Sequence, residues 1–344
     1  MGVNLTPIIK WHNLTLKDLS GRMLAVDANN AIHQFLSITR MPDGSPFTDP
    51  SGTVTSHLIG LLFRSTRLIS DFSMGLVFIF DGQPPGLKRL EMEKRRAARE
   101  KAETERDEAL RKGDLHTAFS KAVMTGRLTK DMINDAKQLL QYLGIPYVQA
   151  PSEAEAQAAY MAAKGDVWAT NSQDYDSILF GTPRLVRYVT IQGKEYLPSK
   201  RTSRPLKPQL IETEDLMSAL SLSREQVIDI AILVGTDFNK GITGIGPKTA
   251  LKLLQKHGTI EDLPEDIRSK ASDNYREVRE IFLNPHVTEQ FSTTQSPLQE
   301  RELYDFLCNQ KNFTRNKVTT AIQRMKRAQA QSNLLQWAER RCGK

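Results

Sequence analysis

Cysteine is almost missing from this chain: there are two, Cys308 and Cys342, far apart and near one end. Two such thiols make no disulfide framework and point to a reducing, intracellular compartment. No apolar run reaches the roughly 18 residues that a bilayer requires, so no membrane partner is expected. The opening Met1-Gly2-Val3-Asn4-Leu5-Thr6 formally fits a myristoylation pattern, but nothing else in the chain points to a membrane. Histidine is scarce, at six residues, and no His/Cys cluster has the spacing of a zinc site. Internal repeats and long low-complexity tracts do not occur.

What remains is an ordinary globular composition, 39% hydrophobic and 25% charged. The 344 residues suit roughly two domains, or one large α/β domain with an appendage. The formal net charge of +7 fits a polyanionic partner, although simple solubility would explain it as well.

Acidic residues carry the sharper signal. Asp27 closes the apolar run RMLAVD, and Asp81 closes GLVFIFD. Glu153 and Glu155 stand in APSEAEAQAA, Asp174 and Asp176 in SQDYDSILFG, and Asp237 in VGTDFNKG. Most of them end strand-like runs, where an open α/β sheet places its ligand crevice. Seven acids cannot share a small volume without cations. Hard oxygen donors without clustered His or Cys suit Mg²⁺, with Mn²⁺ able to substitute. The pattern predicts a two-metal phosphodiester-cleaving site. Taken singly, the acids have plainer readings. Asp27 or Asp81 could be a turn or N-cap residue. Ser152 with Glu155 fits a capping box, and residues two apart on a helix face different directions.

Strand, helix and strand alternate over residues 1–82, which implies right-handed crossovers and a largely parallel sheet. Residues 83–130 change character: from Lys88 to Lys112 there are ten Lys/Arg, seven Asp/Glu and few large apolar side chains. That stretch predicts an exposed charged helix leaving the rim of the site just after Asp81, with Glu91 and Arg95 paired at i,i+4. The sheet pattern returns over 131–210, including a strand RLVRYVTI. Residues 211–262 hold REQVIDIAILVG followed by GITGIGPKTALKLLQKHG. An apolar helix, a Gly-rich turn through Gly241, Gly244 and Gly246, Pro247 at a first helical position and Lys248 beside it predict a helix-hairpin-helix element. Such an element seats a phosphate on free backbone amides without reading bases. Residues 263–328 read as a helical region and 329–344 as a loose tail.

Asp27, FDGQPP, APSEAEAQAA, SQDYDSILFG and GTDFNKGITGIGPKTA together resemble the flap endonucleases of the 5′-nuclease (XPG/Rad2) superfamily, in an archaeal rather than eukaryotic style. The resemblance is close from Gly2 to about Gly258 and looser beyond. It implies a PIN-like α/β fold with a central largely parallel sheet, a helical arch and a helix-hairpin-helix element. It also implies cleavage of branched DNA bearing a 5′ flap, 5′→3′ exonuclease activity, and a role in DNA replication (Okazaki fragment maturation) and repair. All seven acids fall on the family's metal-ligand positions. Lys88 and Arg95 match arch residues that act on the scissile phosphate. Gly2, His33, Arg64, Gly244, Gly246 and Lys248 fall at DNA-contacting positions, with His33 replacing the usual Tyr. A K⁺ ion often sits in the family's helix-hairpin-helix.

The end of the chain, Gln331-Ser332-Asn333-Leu334-Leu335-Gln336-Trp337-Ala338, resembles a motif for a PCNA-type sliding clamp, with Gln331, Leu334 and Trp337 as anchors and Ala338 where a second aromatic is usual. Further expectations are a monomer, in the cytoplasm or nucleoid if archaeal and the nucleus if eukaryotic. Two other readings stay open: a relative acting on recessed ends or bubbles, and a non-catalytic DNA-junction-binding protein.

Overall fold

The computed structural model describes residues 2–41, 45–114, 117, 121, 127–190, 194–197 and 202–342; side chains are described for these except 90, 110, 194–197, 202–205 and 332–342. The first half comprises β1 (His12–Asn13), β2 (Met23–Asp27), α1 (Ala28–Ile38), α2 (Ser56–Phe72), β3 (Gly75–Phe80), α3 (Arg89–Arg111) and α4 (Lys130–Leu143). Next come β4 (Tyr147–Gln149), α5 (Ala154–Lys164), β5 (Ala169–Asn171), α6 (Asp176–Leu179), β6 (Arg184–Arg187), β7 (Lys194–Leu197), β8 (Thr202–Pro205) and β9 (Gln209–Glu212). Helices complete the chain: α7 (Thr213–Leu220), α8 (Arg224–Val234), α9 (Pro247–His257), α10 (Glu265–Arg268), α11 (Tyr275–Leu283), α12 (Glu300–Tyr304) and α13 (Arg315–Cys342).

A seven-stranded sheet runs in the order β1-β9-β6-β5-β2-β3-β4. Its five members from β6 to β4 are mutually parallel, as the strand-helix alternation predicts. The edge differs, because β9 pairs antiparallel with β6 and β1 antiparallel with β9. Neither edge strand was anticipated; two to four residues carry too little alternation to declare themselves. The predicted strand RLVRYVTI is cut short at Arg187, because Tyr188 takes a left-handed φ of 62° and turns the chain out of the sheet.

Alternation within β2 shows why the sheet is covered on both faces. Leu24 and Val26 join Phe78 and Phe80 in a cluster roofed by α1, α2, α4 and α13, with Phe35, Leu62, Leu140 and Met325 fully or almost fully buried there. Ala25, Val77 and Ile79 face the other way, beneath Ala158 and Met161 of α5. A third cluster joins Leu185 and Ile211 at the sheet edge to Ile178, Ile230, Leu254 and Phe282. It fastens the helix-hairpin-helix region onto the same body as the sheet.

Between α8 and α9, a Cβ on Gly241 would overlap the Val234 carbonyl oxygen, so the turn closes only with glycine there. Arg279 of α11 holds this region from behind. Its guanidinium donates to both oxygens of Asp229 on α8, at 2.8 and 2.9 Å, and to both oxygens of Glu261 at 3.0 Å. Burial pushes Asp229 up to about 6 despite that guanidinium, while Arg279 draws the more exposed Glu261 down to about 2.

Candidate active site

Parallel strands end on one side of the sheet, and the acids gather there. Asp27 is the last residue of β2, Asp81 follows β3, and Asp174 and Asp176 follow β5. Glu153 and Glu155 come from the start of α5, and Asp237 from the loop after α8. Asp27 also caps α1, accepting from the Asn30 amide at 2.9 Å, so its capping and site positions are one and the same. The capping box expected of Ser152 and Glu155 does not form. Glu153 is the N-cap, and its side chain makes no capping bond because it reaches Lys88 instead.

The two glutamates diverge, as residues two apart on a helix must. Glu153 pairs with Lys88, and Asp81 and Asp237 lie close enough to perturb it. Glu155 turns toward Asp176, Asp174 and Asp27 and accepts from the Ser177 hydroxyl at 3.4 Å. Burial and mutual repulsion leave their mark on the acids' proton affinities. Asp27 is raised well above its usual value by its enclosure and then by Asp81. Glu155 is raised in the same way by burial and Asp176. Asp176, which is 5% exposed, is pushed up to about 7 by burial, Asp174 and Asp237, against a hydrogen bond from the Val3 amide at 3.0 Å. All seven predicted acids thus belong to one electrostatic network.

Neutral donors also reach the acids. Asn29 donates to Asp81 at 2.6 Å, and the Ala154 amide donates to the other Asp81 oxygen at 2.8 Å. Asn30 donates to Asp174 at 3.2 Å. Among the described residues no three His, Cys, Asp or Glu side chains already close around one point. The donor set nevertheless suits hard cations: it is made of carboxylate oxygens, and their mutual repulsion is what a bound cation would relieve.

Cations of the chain itself enter from Lys88, in the short turn just before α3, and from Arg95 on α3, the charged helix that leaves the site's rim. The Lys88 ammonium bonds Glu153 and lies 3.6 Å from Asp237. Burial opposes its charge, but Glu153, Asp81 and Asp237 more than reverse that, and its pKa stands above the usual lysine value. Arg95 reaches Asp237 at 2.5 Å and also forms the predicted pair with Glu91 at 3.1 Å. Sequence reasoning placed both residues on the arch; the structure brings both into contact with the acids.

His33 is exposed on α1, and its pKa is lowered by the protein crowded round the ring and by Arg99 and Arg95 of α3. Asp81 lies close enough to oppose that shift. Gly2 is tight against the site, since a Cβ there would overlap the Asp176 carboxylate. Gly244 and Lys248 are exposed at the hairpin, and Gly246 caps α9 with Pro247 in its first turn. A side chain at Gly244 or Gly246 would meet open space, so the backbone there is open to a partner.

Matches to known proteins follow the same geometry. The XPG N-terminal domain matches residues 1–102, and the XPG I-region matches residues 144–237. Flap endonuclease 1 of Pyrococcus abyssi is 46% identical over 341 residues, spanning 98% of both chains. That of Methanothrix thermoacetophila is 44% identical over 98% of this chain and 100% of its own.

This chain belongs to the flap endonuclease family of XPG nucleases.

The solved flap endonuclease-1 from Methanococcus jannaschii superposes with a TM-score of 0.76 at 36% identity, covering 96% of this chain and 100% of that one. The catalytic core of Rad2 in complex with DNA substrate shares the fold at 23% identity, with a TM-score of 0.66 over 93% of this chain and 96% of that one. As a flap endonuclease, the chain is a structure-specific nuclease that binds DNA and hydrolyses its phosphodiester bonds, and nucleases of this family depend on metal ions.

Two family-based expectations need correction or qualification. Arg64, expected at a DNA-contacting position, is buried. It is 8% exposed on α2, and its guanidinium donates through Nε and Nη2 to the Val189 carbonyl, at 3.1 Å for Nε. The side chain is used to fasten α2 to the segment after β6. The clamp motif does not lie on a loose tail, because α13 continues without a break to Cys342. Nothing between Arg315 and Cys342 is Pro or Gly, so no residue stops the helix. Gln331 is exposed, while the Leu334 and Trp337 side chains lie outside those described.

Several participants escaped the sequence reading: Asn29, Asn30, Gln34, Ser177 and the Val3 amide. Only the pair Asn29-Asn30, directly after a strand-terminal Asp, offered a signal in advance.

Proposed function

We propose that this flap endonuclease cuts 5′ flaps at junctions of single- and double-stranded DNA, with Mg²⁺ as its ion and Mn²⁺ as a substitute. One observation carries the reading: seven carboxylates gathered from the strand ends, the start of α5 and the loop after α8, with Lys88 and Arg95 from the start of the arch against them. Two bound divalent ions would activate a water and stabilise the leaving 3′-oxygen, which is the chemistry of phosphodiester hydrolysis. Asp27, Asp81, Glu153 and Glu155 are the candidate ligands of one ion, and Asp174, Asp176 and Asp237 of the other.

Lys88 and Arg95 are fixed positive charges at the acids, where negative charge develops on a phosphate during cleavage. Glu153 and Asp237 orient them, so each cation is in place before substrate arrives. The exposed hairpin of Gly244 and Gly246, with Lys248, would grip duplex backbone about the N-terminus of α9, and a K⁺ ion would suit its carbonyls. His33 would stack on a base near the arch. A 5′→3′ exonuclease activity, service in DNA replication and repair inside the cell, and a monomeric state belong to the same reading. The helical end from Gln331 would dock a PCNA-type sliding clamp through Leu334 and Trp337.

The decisive assay uses a labelled double-flap DNA in Mg²⁺, with EDTA and Asp174→Ala as controls. Cutting near the flap base that disappears in both controls supports the reading. Tight binding without cutting in Mg²⁺ or Mn²⁺ would make the chain a junction-binding protein instead. Clamp docking is tested by calorimetry with Trp337→Ala, and unchanged affinity would remove that partner.

A further inference from the structure

Asn30 touches two of the acids at once. Its backbone amide donates to Asp27 Oδ1 at 2.9 Å, while its side-chain Nδ2 donates to Asp174 Oδ2 at 3.2 Å. Asp27 and Asp174 come from different strands, β2 and the end of β5, and the reading above assigns them to different ions. Behind Asn30 the contacts continue. Its Oδ1 accepts from Gln34 Nε2, and Gln34 Oε1 accepts from the Thr190 hydroxyl at 3.1 Å.

The direction of this relay is set by its chemistry. An ionised carboxylate accepts only, so Asn30 must turn its NH₂ toward Asp174 and its oxygen toward Gln34. Gln34 must then present its own NH₂ to Asn30 and its oxygen to Thr190. One orientation of each amide satisfies the whole series; flipping either one sets oxygen against oxygen. Thr190 is 6% exposed and lies two residues beyond Tyr188, whose φ of 62° is a costly conformation for a non-glycine residue. The turn that ends β6 early is thus the turn that carries Thr190 to Gln34.

We propose that Asn30 is a positioning residue that joins Asp27 and Asp174 into one unit, held by Gln34 and Thr190, and thereby sets the affinity of the site for divalent cations. The inference rests on the metal-ion reading of the acids. Outer partners of this kind fix the rotamer of a ligand before the ion arrives, and their loss generally weakens binding by about 10–100-fold. Asn30→Ala is a clean perturbation. Alanine suits a helix, and the backbone amide that caps Asp27 survives while the side-chain bonds to Asp174 and Gln34 are lost.

The test is Mn²⁺ binding by calorimetry to the full chain without DNA, paired with cleavage of a double-flap DNA across Mn²⁺ concentrations. Asn30→Ala should bind Mn²⁺ about tenfold or more weakly, with KM for DNA unchanged and cleavage restored by excess Mn²⁺. Gln34→Ala should show a smaller loss of the same kind, and it serves as the second variant if Asn30→Ala lowers the melting temperature. Mn²⁺ affinity within twofold of wild type in both variants overturns the proposal alone. No Mn²⁺ binding by the wild-type chain overturns the metal reading and the proposal with it.

Discussion

Replacing Lys88 by methionine removes an ammonium and leaves a side chain of similar length. In the structure that ammonium serves Glu153 and Asp237, whose side chains are only 12% and 10% exposed, and is itself 17% exposed. Two consequences should separate by assay. Losing one preorganised donor to a developing charge typically costs about 10²–10³ in turnover, roughly 3–4 kcal/mol. Single-turnover cleavage of a double flap at saturating enzyme should fall by that factor, with DNA affinity nearly constant. Without metal, Lys88→Met also strands two carboxylates. A fully buried pair broken in this way costs about 3–5 kcal/mol, and the residual exposure here argues for the lower part of that range or less.

The pH dependence carries a sign. Burial already raises Glu153 while Lys88 opposes that rise. In the variant Glu153 would rise further, so the native state binds an extra proton as pH falls. The stability deficit of Lys88→Met should therefore be full at pH 8 and shrink toward pH 5. A single-turnover rate within threefold of wild type would refute the catalytic role. A deficit that grows on acidification would refute the electrostatic account.

Three further outcomes follow from other parts of the fold. His57 is fully buried on α2 with no partner at either ring nitrogen among the described residues, and burial pulls it down to about 3. The unfolded chain binds that proton near pH 6.5, so stability falls as pH drops, by roughly 3 kcal/mol at pH 4 from this group alone; urea midpoints against pH should flatten in His57→Leu. Arg279→Met leaves Asp229 buried without its counter-ion and should cost about 3–5 kcal/mol, read as a lower calorimetric melting temperature at pH 8. Lys248→Ala should weaken DNA binding uniformly across sequences and reduce the slope of log K against log salt by about 1, measured by anisotropy from low to moderate salt.

The acids were legible because strand ends are legible. A run such as GLVFIF can only be a buried strand, and whatever follows it must surface at the sheet's edge. For the same reason Lys88 and Arg95, set in a stretch too polar for the core, could be placed on an exposed helix. Arg64 was expected at a DNA-contacting position from the family resemblance alone, and only packing reveals that the Val189 carbonyl holds it. The alternative capping box at Ser152 does not form, because it is a local pattern and Glu153 has a stronger partner in Lys88, 65 residues away.

By itself the sequence determined the parallel α/β body, the metal-type acid set, the charged arch helix and the glycine turn between two helices. Each rests on short-range periodicity or on a residue's intrinsic chemistry, and neither needs the fold to be known. Tertiary structure alone decided that Lys88 and Arg95 neutralise Glu153 and Asp237, that Asn30 joins Asp27 to Asp174, and that β9 and β1 close the sheet edge antiparallel. Those contacts join residues up to 198 positions apart, as in the pairing of His12 with Leu210. Hydrogen bonds and charge pairs of that range depend on distances of a few ångströms, which no spacing along the chain encodes.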